Sequence, residues 1–535
     1  MTLAPSSVSS SRVWSAYQLA FYRIIAEGKG HVVLLARAGC AKTTSAVESL
    51  NYLPKGASCL FVAFNKDIAT ELENRVPKGV EASTTHKFGF AQVRRGAGRV
   101  TIEKNKTYII LDNLLSKEDS EKTEWVAALV RTVSLAKGAL AASPTHIDRL
   151  MDAFEIDLNN ASADDAERVK DRAKFIAIVI DVLKHAANTS FHLTSCKKQA
   201  DRAGHLSTCK GDDRAMCNGC GCSGCNFAAG IIDFDDMIWL PIVRDFHIAQ
   251  YDYVYIDEAQ DLNPAQIELS VRACAYPNGR VIAVGDDRQA IYGFRGADTQ
   301  AIHGLVKRLG AKVMPLPVTY RCSRAVVALA KQFVPDLEAA PNASEGSVRD
   351  LSWNRMVAMA GPGDFILSRS NAPLIGLCMS FLAEGRRATI QGRDLAKNLT
   401  STVKRSRQKD VEGFLMYLDK WESAEKRRML AAKPVPGDPS AVEDKAMCLR
   451  TLCEGAQSLS EVLARIEGLF SDEDNMSRIV LSTTHKAKGL ERDNVFVLRG
   501  TYGKLDSEEA ENLFYVAVTR ARETLHLVAD KPKAA

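Results

Sequence analysis

Short apolar segments alternate with amphipathic segments along much of the chain. Residues 31–36 (HVVLLA) and 58–64 (SCLFVAF) are almost wholly apolar, which is typical of strands buried on both faces of a parallel sheet. A helical pattern begins at Thr43, soon after the first of these segments. The alternation predicts an α/β fold in which helices cover parallel sheets. Further strand-like segments are residues 253–256, 280–284, 364–367, 478–482, 494–498 and 524–528.

Two mostly helical segments interrupt this alternation. Residues from about 103 to 190 have a helical pattern, and so does the polar region 391–475, with a loop predicted at 433–440. The simplest organisation is two α/β cores, each carrying a helical insertion. The predicted boundaries are 1–90 and 230–305 for the first core with insertion 91–229, and 306–390 and 476–535 for the second core with the short insertion 391–475.

Composition narrows the class of protein but not its partner. The 535 residues are 46% hydrophobic and 25% charged, which is ordinary for a globular chain of several domains and excludes a fibre or a disordered tail. No apolar run reaches the roughly 18 residues that a membrane span needs, and the serine-rich start has no apolar stretch. We therefore expect an intracellular protein that is neither secreted nor embedded in a membrane. A net charge of +5 is too small to indicate a nucleic-acid partner by itself.

Six of the 13 cysteines fall within residues 196–225. Two CxxC pairs in this loop favour one tetrahedral metal site, because both thiolates of a tight turn point the same way. We expect structural Zn²⁺ bound by four of the six, with an iron–sulfur cluster or no metal as alternatives; His192 and His205 lie nearby and leave the ligand set open. Purified protein should then contain stoichiometric metal, and metal-free folded protein would contradict the interpretation. The candidates are Cys196, Cys209, Cys217, Cys220, Cys222 and Cys225.

A candidate phosphate-binding loop, ARAGCAKT, covers residues 36–43 between a strand and a helix. In such a loop the backbone N–H groups of Ala38, Gly39, Cys40, Ala41 and Thr44 would cradle phosphates. The Lys42 ammonium would reach the β- and γ-phosphates, and the Thr43 hydroxyl would hold Mg²⁺. The general pattern has glycine at the first and sixth positions, where this chain has alanine, and alanine lacks glycine's access to positive φ. Alone, the pattern also fits an ordinary strand–turn–helix.

An acidic pair strengthens the case for a nucleotide site. The segment 251–261 reads YDYVYIDEAQD, so a predicted buried strand ends in Asp257 and Glu258. A carboxylate at the end of such a strand can hold Mg²⁺ beside a phosphate loop, and its neighbour can act on the attacking water. The alternative, a solvated acidic turn, loses weight beside the phosphate loop.

Four further motifs follow in a fixed order. They read GDDRQAIYGFRGAD from residue 285, VTYRCS from 318, LSTTHKAKGLERDNVF from 481 and ENLFYVAVTRARETLHL from 511. With DEAQD, they resemble the superfamily 1A DNA helicases of the UvrD/Rep type, over residues 18–527. FVAFNKDIATEL, STTHKFG and IQGRDL are most similar to F-box-type and phage-type members. The resemblance implies two RecA-like motor cores, each a parallel sheet.

The resemblance also implies an ATP site shared by both cores. It assigns adenine recognition to Gln18 and Tyr320, a place near the ribose to Glu491, and the γ-phosphate sensor to Gln289. Two arginines of the second core would reach the γ-phosphate, since a guanidinium is always charged and fits phosphate oxygens. The implied catalytic set is Lys42, Asp257 as Mg²⁺ carboxylate, Glu258 as general base, Gln289, Arg321 and Arg520.

A DNA path is implied across both cores. Phe64 and Phe294 would stack on bases, which is sequence-tolerant recognition. A basic run at residues 386–409, with eight basic residues and one acidic, is either a solvated face or a further DNA contact. The remaining implied contacts are Asn65, Lys66, Thr85, His86, Arg295 and His485.

The activity implied by this resemblance is ATP- and Mg²⁺-dependent movement 3′ to 5′ along single-stranded DNA with strand separation at single-strand/duplex junctions. One alternative is a translocase that strips proteins from DNA and barely unwinds it. Another is a non-catalytic DNA-binding relative, which only Ala41 favours. RNA as the main substrate is less favoured by the motifs. Neither a protein partner nor a pathway, such as repair or replication, can be derived from the residues.

Overall fold

The computed structural model describes residues 13–63, 66–73, 75–115, 120–154, 156, 158, 165–187, 230–291, 300–430, 439–470 and 476–530. Within them lie two six-stranded parallel sheets, which agrees with the predicted mixed α/β fold. The strands in chain order are β1 Val32–Ala36, β2 Cys59–Ala63, β3 Val80–Thr84, β4 Val100–Ile102, β5 Gly230–Ile232, β6 Tyr253–Ile256, β7 Arg280–Gly285, β8 Lys312–Leu316, β9 Val318–Thr319, β10 Glu338–Ala339, β11 Ser347–Leu351, β12 Phe365–Ser368, β13 Ala388–Ile390, β14 Ile479–Thr483, β15 Arg492–Leu498 and β16 Ala521–Val528.

The first sheet has the strand order β3-β2-β6-β7-β1-β8. Its central strands β2, β6 and β7 are buried along their whole length, which explains their continuous apolar sequences. The edge strand β8 is half exposed and has no such run. The apolar pattern therefore does not predict β8, and the predicted start of the second core at residue 306 is too early, because the chain leaves the first sheet only after Leu316.

The second sheet has the strand order β11-β16-β15-β12-β14-β13. Its central strands β12 and β14 are fully buried and pair in parallel, with Phe365 opposite Val480. The last strand starts at Ala521, three residues before the predicted start at Thr524. Only Ala521 is buried among its first four residues, so the apolar pattern begins later. A short pair, β9 with β10, lies where the chain enters this core.

Helices cover the sheets and build both insertions. Sequence signals mark several ends: Ser15 caps the first helix in a capping box with Gln18, and Gly28 ends it with φ +68°. The helices are α1 Ala16–Glu27, α2 Lys42–Ser49, α3 Lys66–Glu73, α4 Thr85–Ala97, α5 Lys106–Leu114, α6 Ser120–Ala139, α7 Pro144–Ala153, α8 Asp165–Ala187, α9 Asp236–Val243, α10 Pro264–Arg272, α11 Ala301–Leu309, α12 Arg324–Ala330, α13 Trp353–Met359, α14 Ala372–Ala383, α15 Arg393–Arg405, α16 Val411–Leu430, α17 Pro439–Cys453, α18 Leu459–Leu469, α19 Thr484–Ala487 and α20 Glu508–Val518.

Each insertion has its own apolar core. In the first, α5 to α8 pack around Trp125 and Phe175, whose rings meet edge to face with centroids 5.9 Å apart. The chain leaves the first core next to β4 and returns through β5, which pair in parallel. In the second, α15 to α18 pack against the side of the second sheet through Leu399 and Phe414. Among the described helices no single one is long and apolar enough to cross a membrane; the bent pair Trp125–Ala139 and Pro144–Ala153 passes by length and composition only.

Candidate functional site

The loop between β1 and α2 has the backbone of a phosphate cradle. Gly39 and Ala41 both have positive φ, at +72° and +58°. Ala41 thus adopts the conformation that glycine would take more easily, at a cost of roughly 1 kcal/mol. A Cβ atom on Gly39 would lie 2.5 Å from the Arg321 Cβ of the second core, so only glycine permits this close approach. The loop therefore adopts this conformation even though position 41 is alanine and not glycine.

One ion pair and one hydrogen bond join this loop to the residues that follow β6. The Lys42 Nζ lies 3.1 Å from the Glu258 Oε2, and the Thr43 hydroxyl donates to the Asp257 Oδ2 at 2.9 Å. Burial and the Glu258 charge raise the pKa of Asp257. Burial opposes the ionisation of Glu258, but the charges of Lys42 and Lys488 and the hydrogen bonds from Gln260 and Lys42 together outweigh it and lower the pKa of Glu258. A hydroxyl and a carboxylate oxygen side by side fit the hard-oxygen ligands that Mg²⁺ prefers.

A chain of polar contacts connects Glu258 to Gln289. The Gln260 amide donates to the Glu258 carboxylate, and its oxygen accepts from the Asp286 N–H at 3.0 Å. The Asp286 carboxylate is fully buried and accepts from the Gln289 side chain at 2.7 Å. The predicted general base and the predicted phosphate sensor are therefore coupled through two buried side chains.

The second core places two arginines at the same cleft. Arg321 forms an ion pair with Glu491 and donates to the Thr519 carbonyl at 3.3 Å. Arg520 is 1% exposed and donates to backbone carbonyls, such as that of Val516 at 2.9 Å. No carboxylate of the described chain forms an ion pair with it, and burial together with the Arg321 charge lowers the pKa of Arg520. A buried cation without a counter-ion is a strong attraction for an anion.

The residues predicted for adenine lie around the start of the helices α1 and α2. Gln18 is buried, and its amide donates to the Ser45 hydroxyl at 2.9 Å. Tyr320 donates its backbone N–H to the Gly39 carbonyl at 2.9 Å, while its ring is 47% exposed and free to stack. The Thr44 hydroxyl accepts from the Arg75 guanidinium at 3.3 Å.

The remaining positions of the loop face the interior. The Ala38 N–H donates to the Tyr515 hydroxyl of the second core at 3.0 Å. The Cys40 thiol is fully buried, and burial raises its pKa well above the usual value. An un-ionised, buried thiol packs as a small apolar group, so we assign Cys40 no chemical role.

The predicted DNA contacts are only partly described. His86 and His485 are half-buried on α4 and α19, in the first and second core respectively. Thr85 is buried, and its hydroxyl accepts from the Gln266 amide at 3.2 Å, so it contacts the protein interior. Lys66 begins α3. Outside the described residues lie Phe64, Asn65, Phe294, Arg295 and the cysteines 196, 209, 217, 220, 222 and 225.

No group of three or more His, Cys, Asp or Glu side chains suited to a metal occurs within the described ranges, and the cysteines described there are free. The zinc prediction thus concerns a segment outside those ranges.

Comparison with protein families decides the class of the chain. A model of the UvrD/REP helicase N-terminal domain matches residues 21–309, more than half of the sequence. This chain belongs to the UvrD/Rep helicase family. A model of the UvrD-like helicase C-terminal domain matches residues 478–528, the last part of the second core. The predicted family is confirmed.

Several curated proteins are similar to parts of the chain. F-box DNA helicase protein 1 of Schizosaccharomyces pombe is 26% identical over 316 residues, covering 52% of this chain and 34% of that protein. ATP-dependent DNA helicase PcrA of Staphylococcus aureus is 25% identical over 336 residues, covering 57% and 38%. Putative ATP-dependent DNA helicase YjcD of Bacillus subtilis is 36% identical over 107 residues, covering 18% and 14%. The chain thus spans less than two fifths of the length of each relative.

Three residues at the site of this UvrD/Rep protein were missed by sequence reasoning. Lys488 of the second core donates to both Asp261 oxygens, at 2.8 and 2.7 Å, and to the Gln289 carbonyl at 2.9 Å. The Phe234 ring is 47% exposed and meets the His86 ring with centroids 6.4 Å apart. Arg37 bridges the two cores beside the phosphate loop. Lys488 lies within the THKAKGLE motif and could have been found there; Phe234 and Arg37 carry no signal before their neighbours are known.

Proposed function

We propose that this chain is an ATP- and Mg²⁺-dependent DNA translocase and helicase. The observation that carries the proposal is the convergence of two sets of residues on one cleft. Lys42, Thr43, Asp257 and Glu258 come from the first core, and Arg321 and Arg520 come from the second. An anion in the cleft would satisfy Lys42 and Arg520 together, because no carboxylate among the described residues forms an ion pair with Arg520. A nucleoside triphosphate has the charge and length for that position.

Each of these residues would have a separate role in ATP hydrolysis. Lys42 would exchange its contact with Glu258 for the β- and γ-phosphates, which frees that carboxylate to orient the attacking water. Once Lys42 has moved, the Lys488 charge and the Gln260 hydrogen bond would still favour the ionised form of Glu258. Thr43 and Asp257 would hold Mg²⁺, which supplies charge neutralisation on the phosphate oxygens. Arg321 and Arg520 would stabilise the charge that develops as the bond to the leaving group breaks.

Coupling to DNA would pass through the segment that carries both Lys488 and His485. Lys488 contacts Asp261 and the Gln289 carbonyl on the nucleotide side, and His485 lies one helical turn earlier on the segment predicted to contact DNA. A change at Gln289 on hydrolysis would therefore move a DNA-contacting segment. The DNA track would include Phe234 as a stacking surface beside His86.

The finer parts of the proposal rest on the family resemblance. They are movement 3′ to 5′, preference for single strands and single-strand/duplex junctions, strand separation rather than protein removal, and location inside the cell. The helix α15 continues the track, because its exposed face carries Arg393, Lys397 and Lys404, and its Asp394 lies 3.7 Å from Lys486 next to His485. Structural Zn²⁺ in the cysteine loop stays a prediction.

The test is ATP hydrolysis without nucleic acid, with single-stranded DNA and with single-stranded RNA. We expect strong stimulation by DNA and a fall of about 10² to 10³ in kcat for Lys42→Ala, since the main phosphate cation is lost. Ala41→Gly is the matched variant. It should retain the activity and melt at a higher temperature, because it relieves the positive φ of Ala41.

Absence of hydrolysis under every condition would overturn the proposal in favour of a non-catalytic DNA-binding protein. Recovery of hydrolysis in Ala41→Gly would then identify the alanine as the cause. Stronger stimulation by RNA would change the substrate. A strand-displacement assay with a protein-roadblock control separates a helicase from a translocase that removes bound proteins.

A further inference from the structure

Arg37 occupies the second position of the phosphate loop and does not face the phosphate side. Its guanidinium is 10% exposed and contacts three carboxylates. The Nη1 atom lies 3.1 Å from the Asp286 Oδ1 and 2.5 Å from the Asp287 Oδ1, both in the first core. The Nε atom donates to both oxygens of Asp336, at 3.0 and 2.9 Å, and Asp336 belongs to the second core.

The third carboxylate, that of Asp336, is not required to neutralise Arg37 within the first core. Asp286 and Asp287 already supply two negative charges to one arginine, and the surrounding acids raise the pKa of Arg37. Asp336 adds a charge that is available only when the second core lies at this angle. It lies in the turn between α12 and β10, with its side chain 49% exposed, so the fold of the second core does not depend on it.

The Arg37–Asp336 pair lies next to the segment in which the chain passes from the first core to the second. The Arg37 N–H donates to the carbonyl of Leu316 at 3.1 Å, and the chain passes from the first sheet to the second directly after Leu316. Arg288 contributes a second bridge on the same side, with its guanidinium 2.9 Å from the Glu511 carboxylate and 3.1 Å from the Phe333 carbonyl. These contacts join the two cores beside the segment that connects them.

We propose that Arg37 and Asp336 form a hinge ion pair that holds the second core close to the phosphate loop before nucleotide binds. This role of the pair rests on the proposed function, because the pair would pre-position Arg321 and Arg520 for ATP. Without it, binding energy from ATP would have to bring the cores together, and the apparent affinity would fall while the assembled site stayed the same. Asp336 is then a positioning residue that touches neither nucleotide nor DNA.

The experiment measures equilibrium binding of a slowly hydrolysed ATP analogue, together with kcat and KM for ATP. We expect Asp336→Asn to raise the dissociation constant about fivefold, the size expected for a partly exposed ion pair, and to raise KM with little change in kcat. The melting temperature should stay the same. Asp350→Asn, at an exposed position of β11, is the matched control and should bind as the wild type does.

A double-mutant cycle identifies the partner. Arg37→Lys keeps a charge for Asp286 but loses the Nε–H group that reaches both Asp336 oxygens, so adding Asp336→Asn to it should weaken binding little further. Wild-type affinity in Asp336→Asn, or a full additional loss in the double variant, would overturn the hinge pair. Failure of the wild-type protein to bind the analogue would instead overturn the proposed function, and the hinge pair with it.

Discussion

Replacing Arg520 with glutamine should lower kcat for ATP hydrolysis by about 10³-fold or more without weakening the fold. An arginine that reaches a γ-phosphate contributes on the order of 10³ to 10⁵ in rate, and Arg520 is buried with only carbonyl and hydroxyl partners in the described chain. Its burial beside Arg321 lowers its pKa, which means that its surroundings in the protein disfavour the charge. The wild-type protein therefore maintains a destabilising cation that ATP would neutralise.

The stability measurement separates this role from a structural one. A folded-state pKa below the unfolded value means that the charged Arg520 weakens the fold. Arg520→Gln without nucleotide should thus unfold at a free energy equal to the wild-type value or about 1 kcal/mol above it. Stabilisation by ATP should shrink in the variant. Arg349→Gln, an exposed position of β11, should change neither quantity.

A clear loss of stability together with a small loss of kcat would contradict the assignment. It would mean that Arg520 mainly holds the carbonyls of Val516 and Leu490 in place. Arg520→Lys gives an independent check. A lysine keeps the charge but not the planar fork, so we expect only partial activity.

The motifs predicted which side chains meet at the candidate site better than the apolar pattern predicted the strands. Lys42, Thr43, Asp257 and Glu258 meet as the order of motifs implied, because a phosphate loop and a neighbouring strand end meet at the carboxyl edge of a parallel sheet. The pattern missed β8, because an edge strand needs apolar residues on part of its length only. Because β8 was missed, the predicted boundary between the cores lies before this strand instead of after it.

Contacts between distant segments could not be predicted. Arg37 carries no signal in the sequence, and its partner Asp336 is 299 residues away. Ala41 indicated a weakened loop, whereas the loop closes with Ala41 at positive φ. Thr85 fits a backbone-contacting motif, yet its hydroxyl is used by Gln266. In each case the surroundings of the residue, which the sequence does not display, determine what it does.

Replacing Asp236 with alanine should destabilise the first insertion by about 3 to 5 kcal/mol. Its carboxylate is fully buried and lies 2.6 Å from the Lys106 Nζ and 2.8 Å from the Lys137 Nζ, both of them buried. Lys137 is shared with Asp233, at 2.6 Å, and Lys106 also donates to the Ala186 carbonyl at 2.8 Å. Without Asp236, two buried ammonium groups would share one carboxylate, and such an uncompensated charge is among the costliest defects in a core.

This cluster holds the return of the chain from the insertion, because Asp233 and Asp236 lie between β5 and the first turn of α9 while the lysines lie on α5 and α6. Hydrogen exchange should therefore show lost protection in α5, α6 and α8 and preserved protection in the second sheet. Asp181→Asn breaks only an exposed pair with Lys184 and should be neutral.

The pH dependence of the stability of the first insertion provides a second test of the same cluster. Burial opposes the ionisation of Asp233, but the Lys137 charge and hydrogen bond outweigh it and lower the pKa of Asp233. Asp233 thus contributes stability that is complete above its ordinary pKa of about 4 and is lost as pH falls through the lower folded value. Protection of the insertion that survived Asp236→Ala, or that fell equally in Asp181→Asn, would show that packing around Trp125 and Phe175, rather than the ion cluster, holds the insertion together.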